Sequence, residues 1–492
     1  MNGTYCVTFL QVRRSICRTE DLNYSILVHC LYFLRTCKTK FCSFLRHNEP
    51  PLDKGLMPWM GHALEFGKDS AKFLARMKEK HGDIFTVRVA GIYITVLLDP
   101  HSFDTVLDDA VSFEVGQSRV QLLARTFGLQ LNGIQENDER RWMQQHFHAK
   151  SLTQLCTKMK SHMNNLLLND FNYSKGWRQD GLFNLCYSLL FRTGYLTLFE
   201  NEGNASAVYK EFRKFDNRLT KLARKSLKRD EKKLFTSARE KLWELLSPAF
   251  LDLESNSWQQ EYITFLQNEG VDGEMQKRAL LLQLWTTQCN AGPATFWLLG
   301  FLLTHPEAMG AVQSELRGLT PQDVQSHPTP VFDSVLSETL RLTAAVMINR
   351  DVVQNKSVHT SDGREYLLRK GDKIIIFPFL SPQTNPDIYP EPQMFKYDRF
   401  LNADMTEKTT FLKDQRKLKH YTMPWGAGGK MCVGKEFAIF TIKQFVFLVL
   451  THLDVELCET GARLPPVDPS RYGFGMLHPR GDLRVRYKLK AT

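Results

Sequence analysis

The chain has no Cys-x-x-Cys pair, no Gly-x-Gly-x-x-Gly run, no internal repeat and no low-complexity tract. The first absence argues against a structural zinc site, and the second against a dinucleotide-binding βαβ unit. Glycine (29) and proline (20) are unenriched and aperiodic in 492 residues, which excludes fibrous and disordered classes. Ten cysteines are too sparse for a disulfide scaffold. Five of them, Cys6, Cys17, Cys30, Cys37 and Cys42, crowd the N-terminus, and Cys156, Cys186, Cys289, Cys432 and Cys458 are dispersed singly. No Ser/Gly linker divides the chain, so the length prior of about three domains gives way to one large unit.

What remains is ordinary globular material, 43% hydrophobic and 24% charged, with a formal net charge of +11. That balance suits an anionic membrane, an acidic partner or nucleic acid, although no nucleic-acid recognition motif accompanies it. Residues 1–49 form a basic, Cys-rich leader with seven basic and three acidic side chains. Its apolar run, Tyr24 to Leu34, is too short for a bilayer span of about 20 residues, and Glu20 and Asp21 interrupt the order of a secretory signal. An interfacial segment, a degenerate or alternative anchor, and an atypical leader all stay open. Pro50-Pro51 begins a different kind of sequence.

Beyond Pro50, Phe85–Val89 and Tyr93–Leu98 read as a hairpin around Gly91. Helical periodicity dominates from about Ser102 to Leu342, and Glu274 to His305 is expected as one long helix. Strand-like runs return at Lys373–Phe377 and Leu483–Leu489. The fold class is therefore mainly α with small β-sheets. Lys221, Arg224, Lys225, Lys228 and Arg229 read as a solvated helix face or a contact for lipid headgroups.

The most informative run is Met423-Pro-Trp-Gly-Ala-Gly-Gly-Lys-Met-Cys-Val-Gly-Lys-Glu-Phe-Ala438. Its glycines permit tight turns and close approach to a flat cofactor. A long apolar helix follows Cys432, and a helix N-terminus there is expected to favour the thiolate. A thiolate so placed can ligate a haem iron axially and favour O–O cleavage. A small buried core cysteine is the bland alternative.

This run resembles the cysteine loop of the cytochromes P450, the haem-thiolate superfamily: aromatic-x-x-Gly-x-basic-x-Cys-x-Gly, matched by Trp425, Gly428, Lys430, Cys432 and Gly434. Tryptophan replaces the usual phenylalanine, and lysine the usual arginine or histidine. The resemblance implies one P450-type domain over residues 50–492 with haem b as cofactor, Cys432 on the iron and Lys430 at a propionate. It also implies that Glu338 and Arg341, one helical turn apart, join Arg399 as a buried support for the loop. Trp142 and His146, at i,i+4 spacing, fall where the family places propionate contacts, although His146 reads equally well as a helix-surface histidine.

The distal helix of that superfamily carries Ala-Gly-x-acid-Thr. Here Ala291, Gly292, Pro293 and Thr295 are in place, but Ala294 replaces the acid, so a proton relay to iron-bound dioxygen is impaired. Pro293 removes a helix hydrogen bond and opens a local groove. Asn290 then either satisfies the kinked backbone or faces substrate above the iron. Longer stretches, Met77–Thr86, Gly194–Phe199, Leu284–Trp297, Phe377–Gln383 and Asp468–Gly475, are similar to the branch of the superfamily that isomerises prostaglandin endoperoxides, a likeness covering about nine tenths of the chain. This implies conversion of prostaglandin H to prostacyclin, with Cys432 and Asn290 catalytic and Asn290, Trp285 and Thr295 at the substrate. It implies a monomer on the endoplasmic reticulum membrane, its catalytic domain cytoplasmic, with no obligate reductase and no nucleic acid. The alternatives are a sterol 12α-hydroxylase-like monooxygenase, which needs NADPH and a reductase, and a non-catalytic haem-binding protein.

Overall fold

The computed structural model describes residues 48–130, 136–171, 176–247 and 257–490. The leader, with its apolar run and five cysteines, lies outside the described residues apart from Asn48 and Glu49.

The strands that frame the molecule are β1 (Leu52–Asp53), β2 (Ile84–Val89), β3 (Ile92–Leu97), β4 (Phe113–Glu114), β5 (Arg178–Gly181), β6 (Ile348–Val352), β7 (Lys373–Ile376), β8 (Leu453–Leu457) and β9 (Arg484–Leu489). The helices around the site are α1 (Gly116–Phe127), α2 (Glu136–His146), α3 (Ala149–Phe171), α4 (Leu182–Phe199), α5 (Ala205–Ala223), α6 (Trp258–Asn268), α7 (Gly273–Gln288), α8 (Ala291–Thr304), α9 (Pro330–Thr343) and α10 (Lys435–His452).

The expected hairpin is β2–β3. Val89 pairs with Ile92 across a two-residue turn, and Ala90 and Gly91 both take positive φ, the geometry that matches strand twist. The hairpin is extended into a six-stranded sheet of order β1-β2-β3-β7-β6-β4, in which β3 and β7 run parallel with Leu97 opposite Ile376. A second sheet, β8-β9-β5, is antiparallel. The remaining mass is helical and encloses the largest core cluster. At its centre α8 is buried continuously from Gly292 to Leu302, packed on α4, α9 and α10. A helix apolar on all sides must be surrounded in this way.

The expected single helix over Glu274–His305 is two helices, α7 and α8, separated by a turn at Cys289 and Asn290. Pro293 has no N–H to donate to the Cys289 carbonyl. The Tyr187 hydroxyl of α4 approaches that carbonyl instead, at 3.4 Å. Gly292 lets α4 and α8 meet at this point, since a Cβ there would lie 2.6 Å from the Tyr187 ring. The basic cluster is also less uniform than its sequence suggests. Lys225, Lys228 and Arg229 are exposed, but Arg224 is half-buried, donates to the Tyr472 carbonyl at 2.8 Å and lies over the Phe474 ring.

Candidate active site

Cys432 sits between the glycine turn and α10. Gly426 and Gly428 adopt left-handed φ of 74° and 64°, which coils the loop so that the Cys432 N–H donates to the Trp425 carbonyl at 2.9 Å. The helix starts later than the sequence suggests, at Lys435 with Gly434 as its cap, so Cys432 is not at the helix terminus itself. Burial pushes the Cys432 thiol up, and the Gly434 amide and the Arg140 guanidinium only partly oppose this.

Two cavities of about 550 and 500 Å³ meet at Cys432, sharing Asn290, Ala291, Trp425, Lys430 and Ala438 in their walls. Most of that lining is apolar, from Leu122 and Ala291 on one side to Ala438 and Ile442 on the other. Cations gather at the rim: Arg119 and Lys430 line both cavities, Arg350 the larger and Arg140 the smaller. An apolar slot with a thiol in its wall and guanidinium and ammonium groups at its edge suits a flat, iron-bearing macrocycle with two carboxylates.

The loop is braced from below by a buried charge cluster. The Arg341 Nε and Nη2 donate to the two Glu338 carboxylate oxygens at 2.6 and 2.7 Å. Arg399 Nε donates to Glu338 Oε1 at 2.8 Å, and both Glu338 and Arg341 are fully buried. The remaining guanidinium donors reach backbone carbonyls: Arg341 those of Gln383 and Pro392, Arg399 those of Pro390, Glu391 and Met394. Gln383 passes the support upward, donating to the Arg341 and Ala344 carbonyls and accepting from the Met423 N–H at the base of the cysteine loop. Every charge in the cluster is therefore paired, the condition under which such burial is tolerated.

The other sequence-derived residues divide. Asn290 faces both cavities and its Oδ1 accepts from the Met476 N–H at 3.0 Å, so it serves the kinked backbone and the cavity wall together. Trp285 lines the smaller cavity and donates from Nε1 to Asp216 Oδ1 at 3.1 Å. Gly434 lines the smaller cavity too, whereas Gly428 lies back against Leu107 and shapes the loop without forming the wall of either. Thr295 is fully buried with its hydroxyl on the Ala291 carbonyl at 2.8 Å, and it lines neither cavity. Trp142 and His146 stack on each other, 3.7 Å between ring centroids, among Trp258, Tyr262 and Phe265. His146 Nε2 pairs with Glu261 at 2.8 Å, and neither ring reaches a cavity wall.

Sequence reading misses the basic groups that do reach it. Arg140 donates to the Met431 carbonyl at 2.6 Å, beside the cysteine. Its signal is available: residues i and i+2 lie about 200° apart on a helix, so a face turned away from Trp142 carries Arg140. Arg119 and Leu122 come from α1, in a stretch that matches no motif.

Comparison with known proteins agrees with this geometry. The cytochrome P450 family model matches residues 50–485. Human prostacyclin synthase is 46% identical over 475 residues, covering 90% of this chain and 95% of that protein. Human 7-alpha-hydroxycholest-4-en-3-one 12-alpha-hydroxylase is 38% identical over 478 residues, covering 90% and 94%. Among solved structures, a cyanobacterial protein, retinoic acid-bound CYP120A1, superposes with a TM-score of 0.72 at 20% identity, covering 90% of this chain and all of that one. With the fold, the braced cysteine loop and the matched length in agreement, the chain belongs to the cytochrome P450 family, and haem iron is its cofactor.

Proposed function

We propose that the protein is a haem-thiolate isomerase that converts prostaglandin H to prostacyclin, in which Cys432 would hold the haem iron. The observation that carries the reading is the distal helix: α8 contains no acidic residue, and the Thr295 hydroxyl is already committed to the Ala291 carbonyl. A relay for protonating bound dioxygen therefore lacks its acid, and the threonine that keeps the other half has its one hydroxyl proton on a carbonyl. An endoperoxide needs no such relay, because it brings its own O–O bond. Prostaglandin H and prostacyclin contain the same atoms, so the reaction consumes neither dioxygen nor reducing equivalents. The 46% identity with human prostacyclin synthase supports the same assignment.

Bound haem supplies a sulfur-ligated iron that promotes homolysis of an O–O bond. The chain's own residues then hold and orient. The Gly434 amide beside Cys432 favours the sulfur anion and would temper its charge. Lys430, Arg119 and Arg140 would meet the propionates, and Glu338, Arg341 and Arg399 keep the loop in register. Asn290 and Trp285 place the substrate, and the apolar walls exclude water so that the opened endoperoxide closes its second ring instead of being hydrolysed. The protein acts as a monomer at the endoplasmic reticulum membrane with its catalytic domain cytoplasmic. Exposed Leu56, Met57, Trp59, Leu64 and Ile92 near the β2–β3 turn, with Lys225, Lys228 and Arg229, support contact with lipid. Among the described residues no helix is long and apolar enough to cross a membrane.

A second reading, sterol hydroxylation, is favoured by the 38% identity with the 12-alpha-hydroxylase. Purified holoprotein given prostaglandin H without NADPH is expected to yield the stable hydrolysis product of prostacyclin. No product under these conditions, together with sterol hydroxylation when NADPH and a reductase are added, would overturn the isomerase reading.

A further inference from the structure

The helix break at Cys289 and Asn290 is held by a buried polar cluster that the reaction as described does not use. Its centre is Asp216 on α5, fully buried. Asp216 Oδ1 accepts from Arg471 Nη1 at 2.9 Å and from Trp285 Nε1 at 3.1 Å. Oδ2 accepts from Arg471 Nη2 at 3.0 Å and from the Tyr187 hydroxyl at 3.3 Å, with Arg213 Nη1 at 3.5 Å. Arg471 Nη2 also donates to the Asp216 backbone carbonyl at 2.8 Å. His478, itself buried, packs its ring on Phe183 and Tyr187.

The cluster leads to the cavity along two routes. One is direct, since Trp285 is both a partner of Asp216 and a wall of the smaller cavity. The other runs through the C-terminal loop. The Phe474 N–H donates to the Arg471 carbonyl, Phe474 lines the smaller cavity, and Gly475 and Met476 line the larger. Met476 in turn holds Asn290 through its N–H. Gly475 has φ +96° and lies against the Asn290 amide, so a side chain there would displace that group.

We propose that Asp216 and Arg471 are positioning residues: their ion pair fixes the Trp285 indole and, through the 471–476 loop, the Asn290 amide, and so sets how the lipid substrate lies in the cavity. The pair touches neither cavity and takes no part in bond making. Its effect is on orientation, which decides whether the opened endoperoxide closes to prostacyclin or fragments to malondialdehyde and a shorter hydroxy acid, two products that together contain the atoms of the substrate. This rests on the isomerase reading above.

A single substitution would strand one buried charge, whereas replacing both members by apolar groups of similar size is tolerated in comparable pairs. The test therefore compares holoprotein carrying Asp216→Leu with Arg471→Met, holoprotein carrying Trp285→Phe, and the triple variant. Expected for the pair variant is a reduced carbon monoxide spectrum like wild type, a KM for prostaglandin H raised about tenfold, and a larger malondialdehyde fraction. Trp285→Phe, which keeps the ring and loses the donor, is expected to move both in the same direction, and the triple variant to fall short of the sum of the two. Unchanged KM and product ratio in Trp285→Phe and the pair variant, or full additivity in the triple, overturns the proposal. If the pair variant does not fold, Trp285→Phe alone decides by the same KM and product criteria. A wild-type protein that makes no prostacyclin speaks against the isomerase reading instead. Positioning is then read from the dissociation constant of a non-cleavable cyclic-ether analogue, measured through the haem absorption shift and expected to weaken about tenfold in Trp285→Phe; an unchanged constant overturns it.

Discussion

Cys432 is the residue on which the proposed chemistry depends, and its surroundings divide labour between protein and cofactor. Burial raises the thiol while the nearest amide and guanidinium lower it, and a bound iron would add its own pull toward the sulfur anion. Replacing Cys432 with Ser is expected to abolish the thiolate-type Soret band of the reduced carbon monoxide complex, and its survival would assign the axial ligand to another side chain. The cysteine and its Gly/Lys spacing were legible because a ligand loop has to be contiguous in sequence. Arg119, Arg140 and Arg350 were not, since a propionate can be met by any cation that the fold happens to bring to the rim. Trp142 and His146 show the converse: their spacing put them on one face, but aromatic packing with Trp258 and Tyr262 turns that face away from the cavity.

At the scale of elements, the break between α7 and α8 organises the distal wall. Pro293 in the sequence announced a kink and, four residues back, the carbonyl it frees, but what would satisfy that carbonyl depended on α4, which is remote in the chain. That contact leaves little room. Substituting Gly292 by Ala would press a methyl group into the Tyr187 ring and backbone, at 2.6 and 2.9 Å. The expected cost is about 1–3 kcal/mol of stability, measured as a lower denaturant midpoint, with a smaller fraction of protein retaining haem. The hairpin strands, β7 and β9 were readable from alternation and β-branched content, whereas β1, β4, β5, β6 and β8 were not. Nor was the order in the sheet, because β3 meets β7 only through the intervening helices.

For the whole molecule, stability also depends on ties between segments far apart in the chain. Lys413 is buried and bonds Asp83 at 3.1 Å and Asp99 at 3.3 Å, the residues that flank the β2–β3 hairpin at its open end. Burial works against the Asp99 charge, but Ser102, Ser361 and Lys413 outweigh it and hold the carboxyl below its ordinary range. Its contribution is therefore present above pH about 4 and fades as pH falls through the depressed value. Burial likewise opposes the charge of Lys413, yet the two aspartates raise it, so its share is present through neutral pH and lost only in strong alkali. Lys413→Met should cost about 3 kcal/mol at neutral pH, and that difference should shrink in urea titrations carried out below pH about 4. The same long-range construction sets a timetable for synthesis. The β2–β3 hairpin leaves the ribosome early, but Leu97 waits for Ile376, 279 residues later, before its outer edge is covered. At about 5–20 residues per second, that edge stays open for roughly 15–55 s, a window in which the nascent chain needs a chaperone or risks pairing with another copy of itself.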